Sequence, residues 1–210
     1  MSVSLLPDPG LIAILRGVTP DEVLEIGEAL YDAGFRHIEV PMNSPKPIQS
    51  ITRLASAFAG RAVIGAGTVT AAAQVYSIAD AGGQLIISPH TDPVVIAASK
   101  DAGLISLPGA FTPSECYQAL NTGADGLKIF PASHLAPEGL RSMRAVLPPA
   151  TKIYAVGGID GAGFADWLAA GANGFGLGNS LYRPGVEIAQ IKVVATQMMT
   201  DLHNAAEGLS

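Results

Sequence analysis

Thr122-Gly123-Ala124-Asp125-Gly126-Leu127-Lys128-Ile129-Phe130-Pro131 holds the unit from which the rest of the chain is built. A glycine turn leads into a short apolar run, and a proline closes it. A run this short between Gly and Pro reads as a buried strand rather than a helix. The same arrangement recurs. Asp32-Ala33-Gly34, Asp80-Ala81-Gly82 and Asp101-Ala102-Gly103 each end a helical pattern just before an apolar run, as does Ala170-Gly171-Ala172. Glycine at these points suits the left-handed residue that terminates a helix.

Outward from that unit, strand-like runs fall at Leu11–Leu15, His37–Pro41, Ala62–Gly67, Gln84–Pro89, Leu104–Pro108, Gly126–Phe130, Lys152–Val156 and Gly174–Leu177. Helical patterns separate them. Thr19-Pro20-Asp21-Glu22 and Thr112-Pro113-Ser114-Glu115 both read as capping boxes with proline in the first turn. Later helices are expected at Pro137–Val146, Asp160–Ala170 and Val186–Asn204. The runs are continuously apolar rather than alternating, which indicates a parallel sheet covered by helices. Eight such units in 210 residues fit an α/β fold with a single (β/α)8 TIM barrel spanning residues 1–210. A doubly wound sheet is the alternative. Its glycine fingerprint is missing from the first strand–helix turn, which reads Leu15-Arg16-Gly17-Val18-Thr19.

The chain is 49% hydrophobic and carries a formal net charge of −6, enough apolar material for a sizeable core and the wrong sign for nucleic acid or an anionic membrane. A small anionic substrate stays open, because a few local donors outweigh a distant mean field. No basic-then-apolar leader and no membrane-spanning run is evident, so a cytoplasmic protein is expected. The one cysteine, Cys116, falls in a helical pattern and reads as a packed thiol. His37, His90, His134 and His203 show no ligand spacing, so no metal and no organic cofactor are expected. His90 follows Pro89 at a strand end and could line a site there.

In such a barrel, active sites form where the C-terminal strand ends converge. Lys128 lies inside one of these strands. Burial disfavours its charged form and lowers its pKa from about 10.4, leaving a neutral amine that attacks carbonyl groups. The bland alternatives are a lysine snorkelling to solvent or paired with a carboxylate. Glu39 lies between Ile38 and Val40, so it is either ion-paired, with Lys128 the obvious partner, or raised in pKa toward general acid–base work. Gly65-Ala66-Gly67-Thr68 offers backbone and hydroxyl donors suited to a carboxylate, although a tight turn explains the glycines too. Gly157-Gly158 and Gly178-Asn179-Ser180 follow strands seven and eight, where barrels of this kind commonly hold phosphate.

Four motifs in order, Ile38-Glu39-Val40-Pro41, Gly65-Ala66-Gly67-Thr68-Val69, Lys128-Ile129-Phe130-Pro131 and Val156-Gly157-Gly158-Ile159, resemble the class I 2-keto-3-deoxy-6-phosphogluconate / 6-phosphogalactonate aldolase family. The resemblance runs from about Ile12 to Arg183. It implies a trimeric barrel enzyme that cleaves a phosphorylated keto-deoxy sugar acid into pyruvate and D-glyceraldehyde 3-phosphate. It implies Lys128 as the Schiff-base lysine and Glu39 as the proton shuttle. By the same resemblance Gly67 and Thr68 would hold the pyruvate carboxylate, and Pro89 and Phe130 would pack on the substrate. Gly157, Gly158, Gly178, Asn179 and Ser180 would hold the phosphate. Asn43 stands where the gluconate branch has an arginine, and Val156 where it has a threonine. Both resemble the galactonate branch, in which Arg16 would bind substrate. Two rival readings remain: an isomerase or synthase on a similar barrel, which would not need Lys128, and a non-catalytic sugar-phosphate-binding protein, which would need neither Lys128 nor Glu39.

Overall fold

The computed structural model describes Leu6 and Asp8–Gly208. Strands and helices alternate. The first half contains β1 (Gly10–Ile14), α1 (Val23–Ala33), β2 (His37–Pro41), α2 (Pro47–Ala57), β3 (Val63–Gly67), α3 (Ala72–Asp80), β4 (Leu85–Ile87) and α4 (Pro93–Asp101). The second half contains β5 (Ile105–Leu107), β6 (Gly109–Ala110), α5 (Pro113–Asn121), β7 (Leu127–Ile129), α6 (Ala132–Arg144), β8 (Ile153–Val156), α7 (Phe164–Ala169), β9 (Gly174–Leu177) and α8 (Ile188–Glu207). All strand pairs are parallel, in the order β5-β4-β3-β2-β1-β9-β8-β7-β6.

The nine strands occupy eight positions. β5 and β6 are halves of one strand divided at Pro108, which has no N–H to give to a ladder. β5 pairs with β4 and β6 with β7, so the two ends of the sheet meet through this proline. Pro108 still accepts, from the Lys128 N–H at 2.9 Å. The sheet is thereby a nearly closed barrel, as expected, with the fifth strand interrupted.

Period-two alternation sorts the side chains. Leu11, Ala13, Ile38, Val40, Ile64, Ala66, Leu127, Ile129, Ile153 and Ala155 join the core between sheet and helices. Ile12, Val63, Leu85, Ile87, Ile105, Leu107 and Tyr154 form a second cluster filling the lumen. Successive residues of a strand point to opposite faces, so Glu39, between Ile38 and Val40, and Lys128, between Leu127 and Ile129, both face the lumen.

Helix ends follow local chemistry where it is complete. Thr112 and Glu115 form the full reciprocal capping box, and Asp92 caps α4 through the Val94 N–H. Glu22 reaches back to the Thr19 N–H at 2.7 Å, but Thr19 returns no cap bond and α1 begins only at Val23. α6 begins at Ala132 rather than Pro137, with a break at Ala136 (φ 58°) ahead of the proline. Cys116 is fully buried, and burial pushes its thiol up to about 11, consistent with packing. Among the described residues no helix is long and apolar enough to cross a membrane.

Candidate active site

A cavity of about 590 Å³ opens at the C-terminal ends of β1, β2, β7, β8 and β9. Lys128 and Glu39 reach it from within the lumen, and Arg16 from the turn after β1. That turn is held by Gly17, in the left-handed region at φ 87°, whose N–H donates to Ser44 Oγ at 2.9 Å. The loops after β1 and β2 are thereby tied together.

Glu39 is 1% exposed and Lys128 6%. Burial pushes the Glu39 carboxyl up to about 7, against the opposing pull of Lys128, Arg16 and the Gly67 N–H. Burial likewise lowers the Lys128 ammonium below its ordinary range; Glu39 opposes this and the Arg16 charge reinforces it. Glu39 Oε2 has no hydrogen-bond partner among the described residues. Lys128 Nζ lies 4.6 Å from the centre of the Phe130 ring, which forms part of the wall. The lysine does not snorkel to bulk solvent, since its strand points it into the lumen.

Arg16 donates from Nη1 to Asn43 Oδ1 at 2.6 Å and from Nη2 to Thr68 Oγ1 at 3.3 Å. Asn43 and Thr68 therefore join the site through Arg16 rather than by lining the cavity. Thr68 sits in the left-handed region at φ 55°, uncommon for a β-branched residue. Gly157 and Gly158 follow β8 at φ 97° and 75°. A methyl at Gly158 would come 2.7 Å from Ser133 Cβ, so both sterics and backbone keep this turn bare. Gly178, Asn179 and Ser180 follow the adjacent β9, and Ser180 Oγ donates to the Ile159 carbonyl at 3.0 Å, joining the two turns.

Of the residues singled out from sequence, Arg16, Glu39, Lys128, Phe130, Val156, Gly157, Gly158, Gly178, Asn179 and Ser180 line the cavity. Gly67 and Pro89 do not: Gly67 packs on Glu39, and the Pro89 backbone packs against Gly109. His90 is exposed, 3.9 Å from Asp92. Ile14, Ile159, Asp160 and Gly176 line the cavity without having been singled out. Ile14 was recoverable from alternation with Ile12, and Asp160 from its place two residues after the glycine pair. Among the described residues no group of three or more His, Cys, Asp and Glu side chains is gathered as for a metal ion.

A deprotonatable amine facing a carboxyl that titrates near neutrality, at the C-terminal mouth of a (β/α)8 barrel, is equipment for carbonyl chemistry. Residues 4–196 match the family described as "Aldolase: KDPG and KHG aldolase". The chain belongs to this family and is an aldolase, a carbon–carbon lyase. It is 47% identical over 182 residues to the "Probable 2-dehydro-3-deoxy-6-phosphogalactonate aldolase" of Rhizobium meliloti (strain 1021), covering 87% of this chain and 86% of that one. It is 44% identical over 178 residues to the 2-dehydro-3-deoxy-6-phosphogalactonate aldolase of Escherichia coli (strain K12), covering 85% and 87%. A solved structure described as "Native KDPGal structure" superposes with a TM-score of 0.93 at 41% identity, covering 94% of this chain and 96% of that one.

Proposed function

We propose that this aldolase is a class I enzyme that cleaves 2-dehydro-3-deoxy-6-phospho-D-galactonate to pyruvate and D-glyceraldehyde 3-phosphate, in galactonate catabolism. The observation that carries the mechanism is Lys128, buried in the lumen with a depressed pKa and facing the same cavity as Glu39. The relatives' names support the substrate.

Neutral Lys128 adds to the C2 ketone, and the carbinolamine takes up a proton on its hydroxyl and loses water, leaving an iminium. Glu39 takes the C4 hydroxyl proton, and the electron pair left on that oxygen forms the aldehyde C=O bond as the C3–C4 bond breaks. The bond's electrons move to the iminium nitrogen, giving an enamine. The Glu39 proton then goes to C3, and hydrolysis releases pyruvate and Lys128. Arg16, held by Asn43 and Thr68, supplies positive charge for the substrate carboxylate. The bare turns at Gly157–Gly158 and Gly178–Ser180 suit the phosphate, their glycines allowing close approach to backbone N–H groups. Val156 and Phe130 pack on the chain between the two ends. A homotrimer in the cytoplasm is the assembly and compartment that accompany this reading. Light scattering on the purified protein tests the trimer.

The test is reductive trapping. Pyruvate with borohydride should add a stable 1-carboxyethyl group to one lysine, located at Lys128 by peptide mass analysis. No adduct, or an adduct elsewhere, removes the Schiff-base assignment. Rates with the galactonate and gluconate epimers then settle the substrate.

A further inference from the structure

Gly67 ends β3 and faces β2, where Pro41 is its register partner. A methyl at Gly67 would lie 1.9 Å from Glu39 Oε2, 2.2 Å from Oε1 and 2.3 Å from Cδ. The three nearest atoms it would meet all belong to that one carboxylate. The Gly67 backbone N–H also helps to hold the Glu39 carboxyl down. Nothing in the backbone calls for glycine, because Gly67 lies in a strand and is not among the positive-φ residues. Alanine is conformationally allowed there. Gly65 differs: its added methyl would meet the Leu85 backbone carbonyl at 2.2 Å, so its bareness serves strand packing.

Glu39 needs such a seat. With Oε2 unpartnered, hydrogen bonds alone do not fix the plane of the carboxylate. Shape has to, and the surface it lies on is the uncovered Cα of Gly67.

We propose that Gly67 is a positioning residue for Glu39: the space left by its missing side chain seats the carboxylate in the lumen, turned toward the cavity it shares with Lys128. Its catalytic part rests on the reading of Glu39 as proton shuttle; the seating itself does not. Gly67 is thereby separated from Thr68, whose hydroxyl faces Arg16.

The experiment uses the full chain as Gly67→Ala, Glu39→Ala and the double variant. Three readouts are borohydride trapping of pyruvate, exchange of pyruvate methyl protons in deuterated water, and Tm. Gly67→Ala should still trap pyruvate on Lys128, while exchange falls by about 10²-fold or more, the usual scale for a displaced acid–base group. Its Tm should drop in the parent but not in the Glu39→Ala background, where the methyl takes the vacated space. A glycine with a merely structural role would lower Tm equally in both backgrounds, and that result overturns the proposal. Parental exchange in Gly67→Ala overturns it as well. If Gly67→Ala fails to fold, recovery of folding in the double variant supports the seat, and continued failure overturns it. Should Glu39→Ala itself exchange at the parental rate, the shuttle reading and the catalytic part fall together; the Tm comparison then decides the seating alone.

Discussion

Lys128 and Glu39 stand directly across the barrel from one another. β1, β9 and β8 intervene between their strands on one side, and β3, β4 and the divided fifth strand on the other. Neither strand can therefore move the two groups together by local distortion. Their relation is set by the circumference of the barrel, which side chains must span inward from both walls. Both groups are nonetheless buried in the lumen, and it is this burial that raises the carboxyl and lowers the amine.

Replacing Lys128 by Met should leave a folded protein with no measurable cleavage, because methionine fills the lumen but offers no nucleophile. Steady-state assays coupled to pyruvate release check this. Turnover within about tenfold of the parent would mean that another group carries the reaction, since loss of a covalent nucleophile costs far more.

The pH dependence of kcat/KM should show an acid limb near pH 7, as Glu39 must be ionised to accept the C4 proton and its carboxyl is raised to about 7. Removing the Arg16 charge, as Arg16→Met, should move that limb to higher pH, because Arg16 holds the carboxyl down. The same variant should raise KM about tenfold or more, the worth of a lost charge-assisted hydrogen bond to substrate. A limb that stays in place in Arg16→Met, or that persists in Glu39→Gln, assigns it to another group.

Stability should carry the same signature with a definite sign. The folded-state pKa of Glu39, about 7, lies above its ordinary value of 4.5, so the folded protein binds this proton more tightly than the unfolded chain. The resulting stabilisation is fully present below pH 4.5 and is lost as pH rises through 7. Glu39→Gln lacks this loss and should exceed the parent at pH 8 by roughly 3 kcal/mol more than at pH 4. Denaturant unfolding of both proteins across that range measures the difference. A difference independent of pH would place the carboxyl at its ordinary pKa.

Val156 lines the cavity between the lumen and the glycine turn. It is closely confined: a methyl on Gly176 would meet Val156 Cγ2 at 2.8 Å. Threonine has nearly the same volume and adds a hydroxyl. One buried hydrogen bond is worth about 1–3 kcal/mol, roughly 5- to 150-fold in selectivity. Val156→Thr should shift kcat/KM from the galactonate toward the gluconate epimer without abolishing either activity. An unchanged ratio would leave Arg16 and Asn43 as the residues to test for that choice.

Much of this molecule was legible in residue order because its determinants are local. A strand buried on both faces must be apolar throughout, so the runs at His37–Pro41 and Gly174–Leu177 were bounded correctly by composition alone. The Thr112–Glu115 cap was legible for the same reason, since all its atoms lie within one turn. A lysine and a glutamate inside such runs declare themselves, because placing either there without a function or a partner is costly. The bare turns after β8 and β9 were equally plain.

What residue order did not contain was which distant groups share a space. Strand register and barrel closure depend on packing between segments far apart in the chain, and no local pattern encodes them. Thr68 and Asn43 reach the site only through Arg16, because three loops converge there. Gly67 looked like a turn or a carboxylate cradle, whereas the fold sets it under Glu39 from the neighbouring strand. Pro108 divides the fifth strand at the point where the sheet closes on itself, visible only once β4 and β7 are known to be its neighbours. The two-residue period of a strand sets Lys128 and Glu39 on the face opposite their flanking apolar neighbours; only the closed barrel, by fixing eight strand positions around one lumen, decided that this face is the lumen and that they face each other across it.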